Sequence, residues 1–201
     1  MAPLTTALLL SGGLDSTALA WWRRPDIAVT INYGQRPAEA EIRAAAAVAD
    51  TIGCEHVVHR VDLSALGSGD MNGRPGLSIA PVPEWWPYRN QMLITLGAMA
   101  VIARGASEIM MGTLASDRSH ADGSPEFVAA MDALLRTQEG AMRVIAPAME
   151  MEAEELIRTS GVPLDVLAWA HSCHRANEAC GMCRGCDKHY RTMGGLGEPA
   201  Y

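Results

Sequence analysis

The residues able to do chemistry fall into two groups at opposite ends of the chain. Near the start, Ser11-Gly12-Gly13-Leu14-Asp15-Ser16-Thr17 follows the apolar run 4–10 and leads into a helical stretch. A turn of this composition between a strand and a helix suits an anion. Gly12 and Gly13 let the backbone come close and adopt positive φ. The helix start presents free N–H groups and partial positive charge, and Ser11, Ser16 and Thr17 add hydroxyls. Asp15 fits beside phosphates only if it holds Mg²⁺ or caps the helix. There is no Gly-Lys-Ser/Thr, so this is not the loop of ATPases that release the γ-phosphate. Near the other end, Cys173, Cys180, Cys183 and Cys186 crowd together. Four thiolates are the set for a closed, structural Zn²⁺ site, while the spacing leaves a [4Fe–4S] cluster or a redox pair open. His171, His174 and His189 flank the cluster as neighbours rather than ligands. Cys54 stands apart and reads as a small buried apolar residue.

These groups need elements to hold them, and the hydrophobic pattern supplies an alternation. Strands are expected at 4–10, 27–33, 57–61, 108–113 and 143–145, and helices at 15–22, 37–52, 89–104, 127–135 and 152–159. Such alternation implies an α/β fold, a parallel sheet with helices on both faces. Ligands of such sheets bind at the carboxyl ends of the strands, here the loops after Leu10, Tyr33 and Thr113. Residues 1–165 read as the nucleotide-binding domain, and 166–201 as a cysteine-bearing segment of the same domain. The Gly/Pro-rich stretch 64–87 reads as a lid or partner-contact loop. Its Trp85 and Trp86 are placed to stack on a purine-like base or to pack in a dimer. Met92, Met99, Met110, Met111, Met149 and Met151 read as core filler, and His120 as a loop-surface residue.

Composition narrows the classes. With 201 residues, 49% of them hydrophobic and 19% charged, the chain is too apolar for disorder and long enough for one full core. No apolar run reaches bilayer length, since the best, 92–102, contains Thr95 and Gly97. No signal-peptide pattern opens the chain, and a cytoplasmic protein is expected. A net charge of −7, with Lys188 the sole lysine, makes direct nucleic-acid binding a poor expectation.

The segment from Ser11 to Ser16 resembles the pyrophosphatase-loop signature SGGxDS of enzymes that activate a carboxylate as its adenylate. Further segments narrow the likeness: Asn32-Tyr33-Gly34-Gln35-Arg36 after strand two, with Glu39 and Glu41 opening the next helix; Pro87-Tyr88-Arg89-Asn90; and Gly161-Val162-Pro163-Leu164 before the cysteines. In this order, the chain resembles the QueC, or 7-cyano-7-deazaguanine synthase, family over nearly its whole length, most loosely at 64–83. The resemblance implies a Rossmann-like fold and a carbon–nitrogen ligase using ATP and Mg²⁺. Its substrates would be 7-carboxy-7-deazaguanine and ammonia, its structural metal Zn²⁺ on Cys173, Cys180, Cys183 and Cys186, and its assembly a homodimer. Asp15, Ser16 and Arg89 would be catalytic. Ser11, Gly12, Gly13, Leu14, Asp15, Ser16, Thr17, Arg36 and Gly112 would hold the nucleotide. Tyr33, Gln35, Arg89, Asn90 and Asp117 would hold the substrate. A guanidinium at a strand end suits phosphate or carboxylate.

Two departures from the family bear on the product. After the fourth strand the family reads GxNxxDYSGYPDCR, whereas residues 112–124 keep Gly112 and Asp117 and lose the Tyr-Pro-Asp-Cys-Arg end. The family also carries a lysine in a Thr/Ser-Lys-Ala-Glu segment, and Ala153 stands at that position. Since Lys188 is the sole lysine and lies in the region of the zinc cysteines, the lysine's role is expected to be vacant or taken by an arginine. QueC-like proteins also occur in anti-phage systems, where a deazaguanine is joined through an amide to a protein amine. The departures therefore predict an enzyme that stops at the amide or conjugates a protein amine.

Overall fold

A computed structural model describes residues 4–200. Its centre is an all-parallel sheet in the order β3-β2-β1-β4-β5. The strands are β1 (Thr5–Leu9), β2 (Ile27–Asn32), β3 (Glu55–Arg60), β4 (Ala106–Met110) and β5 (Arg143–Ile145). Around it lie α1 (Leu14–Arg23), α2 (Ala38–Ile52), α3 (Arg89–Val101), α4 (Pro125–Leu135), α5 (Ala153–Ser160), α6 (Leu164–Leu167) and α7 (Arg184–Leu196). The fold is the α/β architecture expected from the alternation, and it is Rossmann-like, as the family resemblance implies.

The two-residue period of a strand sends neighbouring side chains into different cores. Leu8, Ala28 and Met110 face α1, α2, α5, α6 and α7, packing with Leu19, Val48, Leu156, Leu167 and Met193. Ala7, Val29, Ile109 and Val144 face α3 and α4, packing with Ile94, Val101, Val128 and Met131. Burial on both faces is why the inner strands read as apolar runs rather than alternations. The segment after residue 165 shares the first of these cores through Val166, Leu167, Ala170 and Met193.

Helix ends follow local chemistry, with one informative exception. Ser124 caps α4 by accepting from the Phe127 N–H, with Pro125 in the first turn. α2 stops at Gly53, whose φ of 72° is the left-handed conformation glycine tolerates. α1 instead begins at Gly13 with no side-chain cap, which leaves first-turn N–H groups free for a ligand. It begins where the strand order reverses, between β1 and β4, the place where such sheets open a crevice.

The stretch 64–87 is fastened rather than free. Its Trp86 is buried and meets Tyr33 edge-on at 4.9 Å between ring centroids, and the Met71 carbonyl accepts from the Arg36 N–H at 2.8 Å. Trp86 is thus core, correcting its expected role in stacking or dimer contact; its apolar ring finds a buried partner inside the chain. Met99 departs the other way: at 67% exposure on α3 it is surface rather than core filler.

α5 packs on α1 and so backs the helix that starts at the phosphate turn. Leu156, fully buried there, leaves a cavity when truncated. Leu156→Ala is expected to lower unfolding free energy by about 2–5 kcal/mol, read as a lower urea midpoint with an unchanged slope.

Candidate active site

A cavity of about 550 Å³ opens at the carboxyl ends of β1, β2 and β4. The phosphate turn forms one wall. Gly12 has φ +76°, and a methyl group there would lie 2.7 Å from Ala44 Cβ and 2.8 Å from the Glu41 carbonyl oxygen. Only glycine lets the turn sit this close on α2. The His171 N–H donates to the Gly12 carbonyl at 2.8 Å, fixing the turn from the C-terminal segment. Ser16 Oγ donates to the Gly13 carbonyl at 3.1 Å and lies 3.1 Å from Ser11 Oγ. Ser11, Gly13, Leu14, Asp15 and Ser16 line the cavity, whereas Gly12 and Thr17 sit behind it. Gly112 faces the same wall across from Ser16.

Asp15, in the first turn of α1 and about one-fifth exposed (21%), directs its carboxylate to Lys188. The Lys188 ammonium lies 2.7 Å from Asp15 Oδ2 and 3.4 Å from Asp117 Oδ1. Burial raises the Asp15 pKa; the Lys188 charge opposes the rise, and Asp117 and Glu154 add to it. Burial works against the Lys188 cation, yet Asp15 and Asp117 outweigh it and hold its pKa up. Residue order groups Lys188 with the cysteines, but its ammonium reaches the phosphate turn instead. Asp15 also does not cap its helix, because Gly13 occupies the N-cap position.

The opposite wall carries the residues expected at the substrate. Gln35, buried behind the cavity, accepts from the Tyr33 N–H at 2.8 Å and donates to Glu41 Oε2 at 2.7 Å. Burial pushes the Glu41 carboxyl up to about 7, with Gln35 and then Arg89 opposing. Burial likewise raises the Tyr33 phenol, against the nearby Arg89 charge. Arg89 starts α3, with a guanidinium N–H 2.9 Å from Met71 Sδ. Asn90 is held by Asp122, to whose carbonyl it donates at 2.9 Å. Arg36 is exposed, lies against Gly73 and does not line the cavity. His120, expected on the loop surface, is half-buried and lines it. Glu41, Glu154 and Lys188 are among the cavity groups to which sequence reasoning assigned no role, with Asp122 and Arg184. Glu41 alone had a local signal, following Asn32-Tyr33-Gly34-Gln35-Arg36 at the start of α2.

Beyond the cavity wall, the thiols of Cys173, Cys180, Cys183 and Cys186 all lie within 4.8 Å of one another. Two pairs stand at 3.9 and 4.0 Å, close to the ~3.8 Å edge of a tetrahedron with 2.3 Å metal–sulfur bonds. Backbone N–H groups of His174 and Cys186 point at Cys183 Sγ, at 3.3 and 3.5 Å, as thiolate ligands require. The four cysteines could hold a metal such as zinc. Burial keeps the neighbouring His174 and His189 neutral, with pKa values down to about 4.

Comparison with known proteins gives a family match and curated relatives of similar length. The family model described as queuosine biosynthesis protein QueC matches residues 5–195. A 7-cyano-7-deazaguanine synthase of Desulforudis audaxviator is 32% identical over 220 residues, spanning 94% of this chain and 97% of the relative. One of Thiobacillus denitrificans is 35% identical over 200 residues, spanning 89% and 88%. One of Methanosarcina barkeri is 28% identical over 215 residues, spanning 94% and 93%.

Glu41 gives the site a pH signature. Its carboxyl rises from 4.5 to about 7 in the fold, so the fold holds a proton that the unfolded chain has already lost. That share of stability is fully present below about 4.5 and is lost as pH rises through 7. The depressed His174 and His189 act in the opposite direction over this window, so the share of Glu41 is read against Glu41→Gln, which keeps a polar partner for Gln35. The urea midpoint of the native chain is expected to fall relative to that of the variant as pH rises from 4.5 through 7; a constant difference would place the Glu41 carboxyl in water.

Proposed function

The chain belongs to the QueC family, and on that premise we propose that it is an ATP-dependent carbon–nitrogen ligase acting on 7-carboxy-7-deazaguanine. It adenylates the carboxylate and aminates it with ammonia on the way to 7-cyano-7-deazaguanine. The observation that carries the reading is the uncapped start of α1, opening into the same cavity as Asp15, Lys188 and Arg89. The relatives' names support the substrate, and the phosphate turn supports the nucleotide chemistry.

In this reading the amides from Gly13 to Ser16 and the hydroxyls of Ser11 and Ser16, with Gly112, cradle the phosphates, while Gly12 and Thr17 support the turn from behind. Arg36 would join them only by leaving Gly73. Described carboxylates outnumber described cations around the cavity, which suits a phosphate ligand that arrives with a divalent cation. Asp15, with Asp117 and Glu154 beside it, would hold Mg²⁺, which neutralises the departing pyrophosphate when bound. Arg89 holds the substrate carboxylate, Asn90 orients the substrate beside it, and Tyr33 meets the deazapurine ring with Glu41, which Gln35 holds from behind. A carboxylate oxygen bonds to the α-phosphorus as the bond to pyrophosphate breaks. Ammonia then displaces AMP at the acyl carbon, giving the amide; a second ATP adenylates the amide oxygen with release of pyrophosphate, and AMP leaves with that oxygen as the nitrogen loses its protons, giving the nitrile.

A product halted at the amide, or joined to a protein amine in antiviral defence, remains the second reading, favoured by the altered segment after β4. Its other ground is Ala153 at the family's lysine position, and Lys188 beside Asp15 weighs against it. One incubation with the acid, ATP, Mg²⁺ and ammonium, read by mass spectrometry for amide and nitrile, separates the two. The homodimer has a candidate face in Tyr88, Met92, Leu96 and Met99, which share the outer side of α3; Tyr88 is 77% exposed. No described helix is long and apolar enough to cross a membrane.

AMP and pyrophosphate are the expected nucleotide products, and Asp15→Ala should lower their release by about a hundredfold or more; ADP as the main product would contradict the reading. Metal analysis should find about one zinc per chain. Cys183→Ser should remove it and lower the melting temperature, because the metal's binding free energy is part of folding.

A further inference from the structure

Resting on the adenylation reading, we propose that Lys188 is the cation that contacts the nucleotide's phosphates as pyrophosphate departs. The helix that starts in the cysteine cluster delivers it. The chain has no other lysine, and this one reaches the wall formed by the phosphate turn, its side chain 35% exposed to the cavity mouth. α7 begins inside the cysteine cluster. Cys183 is its N-cap and accepts from the Cys186 N–H, and Gly185 lets the first turn press on the Ser172 carbonyl. Lys188 follows Cys186 by two residues and so leaves the helix on another side. The thiols lie toward the cluster, and the ammonium toward Asp15.

The other cations on this side are engaged elsewhere. Arg184 pairs with Glu84 at 3.2 Å, and Arg191 with Asp187 at 2.7 Å along its own helix. Lys188 alone among the described cations pairs with the acidic residue of the phosphate turn. A flexible four-carbon stem with three donors can turn from that carboxylate to a phosphate oxygen. Such a move frees Asp15 for a divalent cation while the ammonium follows the negative charge. In the step itself, the oxygen–phosphorus bond forms at the α-phosphorus and the bond to the β-phosphate oxygen breaks. The electron pair leaves on pyrophosphate, and Lys188 stabilises that charge without giving up a proton.

Lys188→Met and Lys188→Arg, made in the zinc-loaded full chain, test the assignment. The measurements are calorimetric binding of inorganic pyrophosphate with Mg²⁺, and ATP–pyrophosphate exchange dependent on 7-carboxy-7-deazaguanine. Zinc content and melting temperature are followed in parallel to check that each variant folds. Lys188→Met is expected to weaken pyrophosphate binding about tenfold or more and to lower exchange by about a hundredfold or more. Lys188→Arg should recover part of both. As a readout independent of turnover, an amine-acylating reagent should modify Lys188 in the native chain, and Mg²⁺-pyrophosphate should protect it in the mass spectrum. Wild-type exchange that survives in Lys188→Met, or acylation indifferent to pyrophosphate, overturns the role of Lys188 and leaves the adenylation reading standing. A wild-type chain with no exchange at all overturns the adenylation reading, and with it the step assigned here.

Discussion

A carboxylate held in the first turn of a helix, in a partly closed cavity beside two more acids, requires a cation. Asp15 draws it from Lys188, 173 positions further along the chain. That pairing obliges the C-terminal segment to fold over the N-terminal turn, and other contacts follow the same path. The His171 N–H holds the Gly12 carbonyl, Asn177 caps the start of α2 by accepting from the Ala40 N–H, and Arg175 pairs with Asp70 at 2.9 Å. Solvent-exposed ion pairs alone contribute little. The buried apolar residues of α6 and α7, sharing a core with α1 and α5, make the arrangement stable.

The same constraint explains the division of labour around the cavity. One wall is backbone: an uncapped helix start, seated on α2 through a glycine no other residue could replace without moving Ala44 or the Glu41 carbonyl. The facing wall is side chain, where Gln35 joins the backbone of Tyr33 to a buried Glu41, and Arg89 sits close enough to oppose the raised pKa of both Tyr33 and Glu41. Between them the cysteine cluster is a buttress. Its four thiols lie outside the cavity, while residues next to them in sequence, His174 and Gly185, line it.

How much of this was legible in the sequence depended on how local each signal was. The phosphate turn and the cysteines are contiguous, so residue type and spacing revealed them. The strands and most helices followed from apolar runs, with ends within a few residues of those observed. α7 was invisible for a physical reason: its buried face is Gly185, Cys186, His189, Thr192 and Met193, helical in spacing but with one large apolar residue. Without that helix, the turn of backbone that separates Lys188 from Cys186 is not legible, and residue order alone groups Lys188 with the cysteines. A Pro-rich stretch suggests surface, and nothing in the sequence announces that Tyr33 lies against Trp86.

The central claim is that a substrate carboxylate oxygen becomes bonded to the α-phosphorus of ATP. Oxygen-18 placed in the carboxylate of 7-carboxy-7-deazaguanine follows that bond directly. After incubation with the chain, unlabelled ATP, Mg²⁺ and ammonium, mass spectrometry of the nucleotide and phosphate products reports where the label went. The account predicts one labelled oxygen in the phosphate of AMP and none in pyrophosphate. Label in inorganic phosphate alongside ADP, or AMP formed in step with product but free of label, would contradict it.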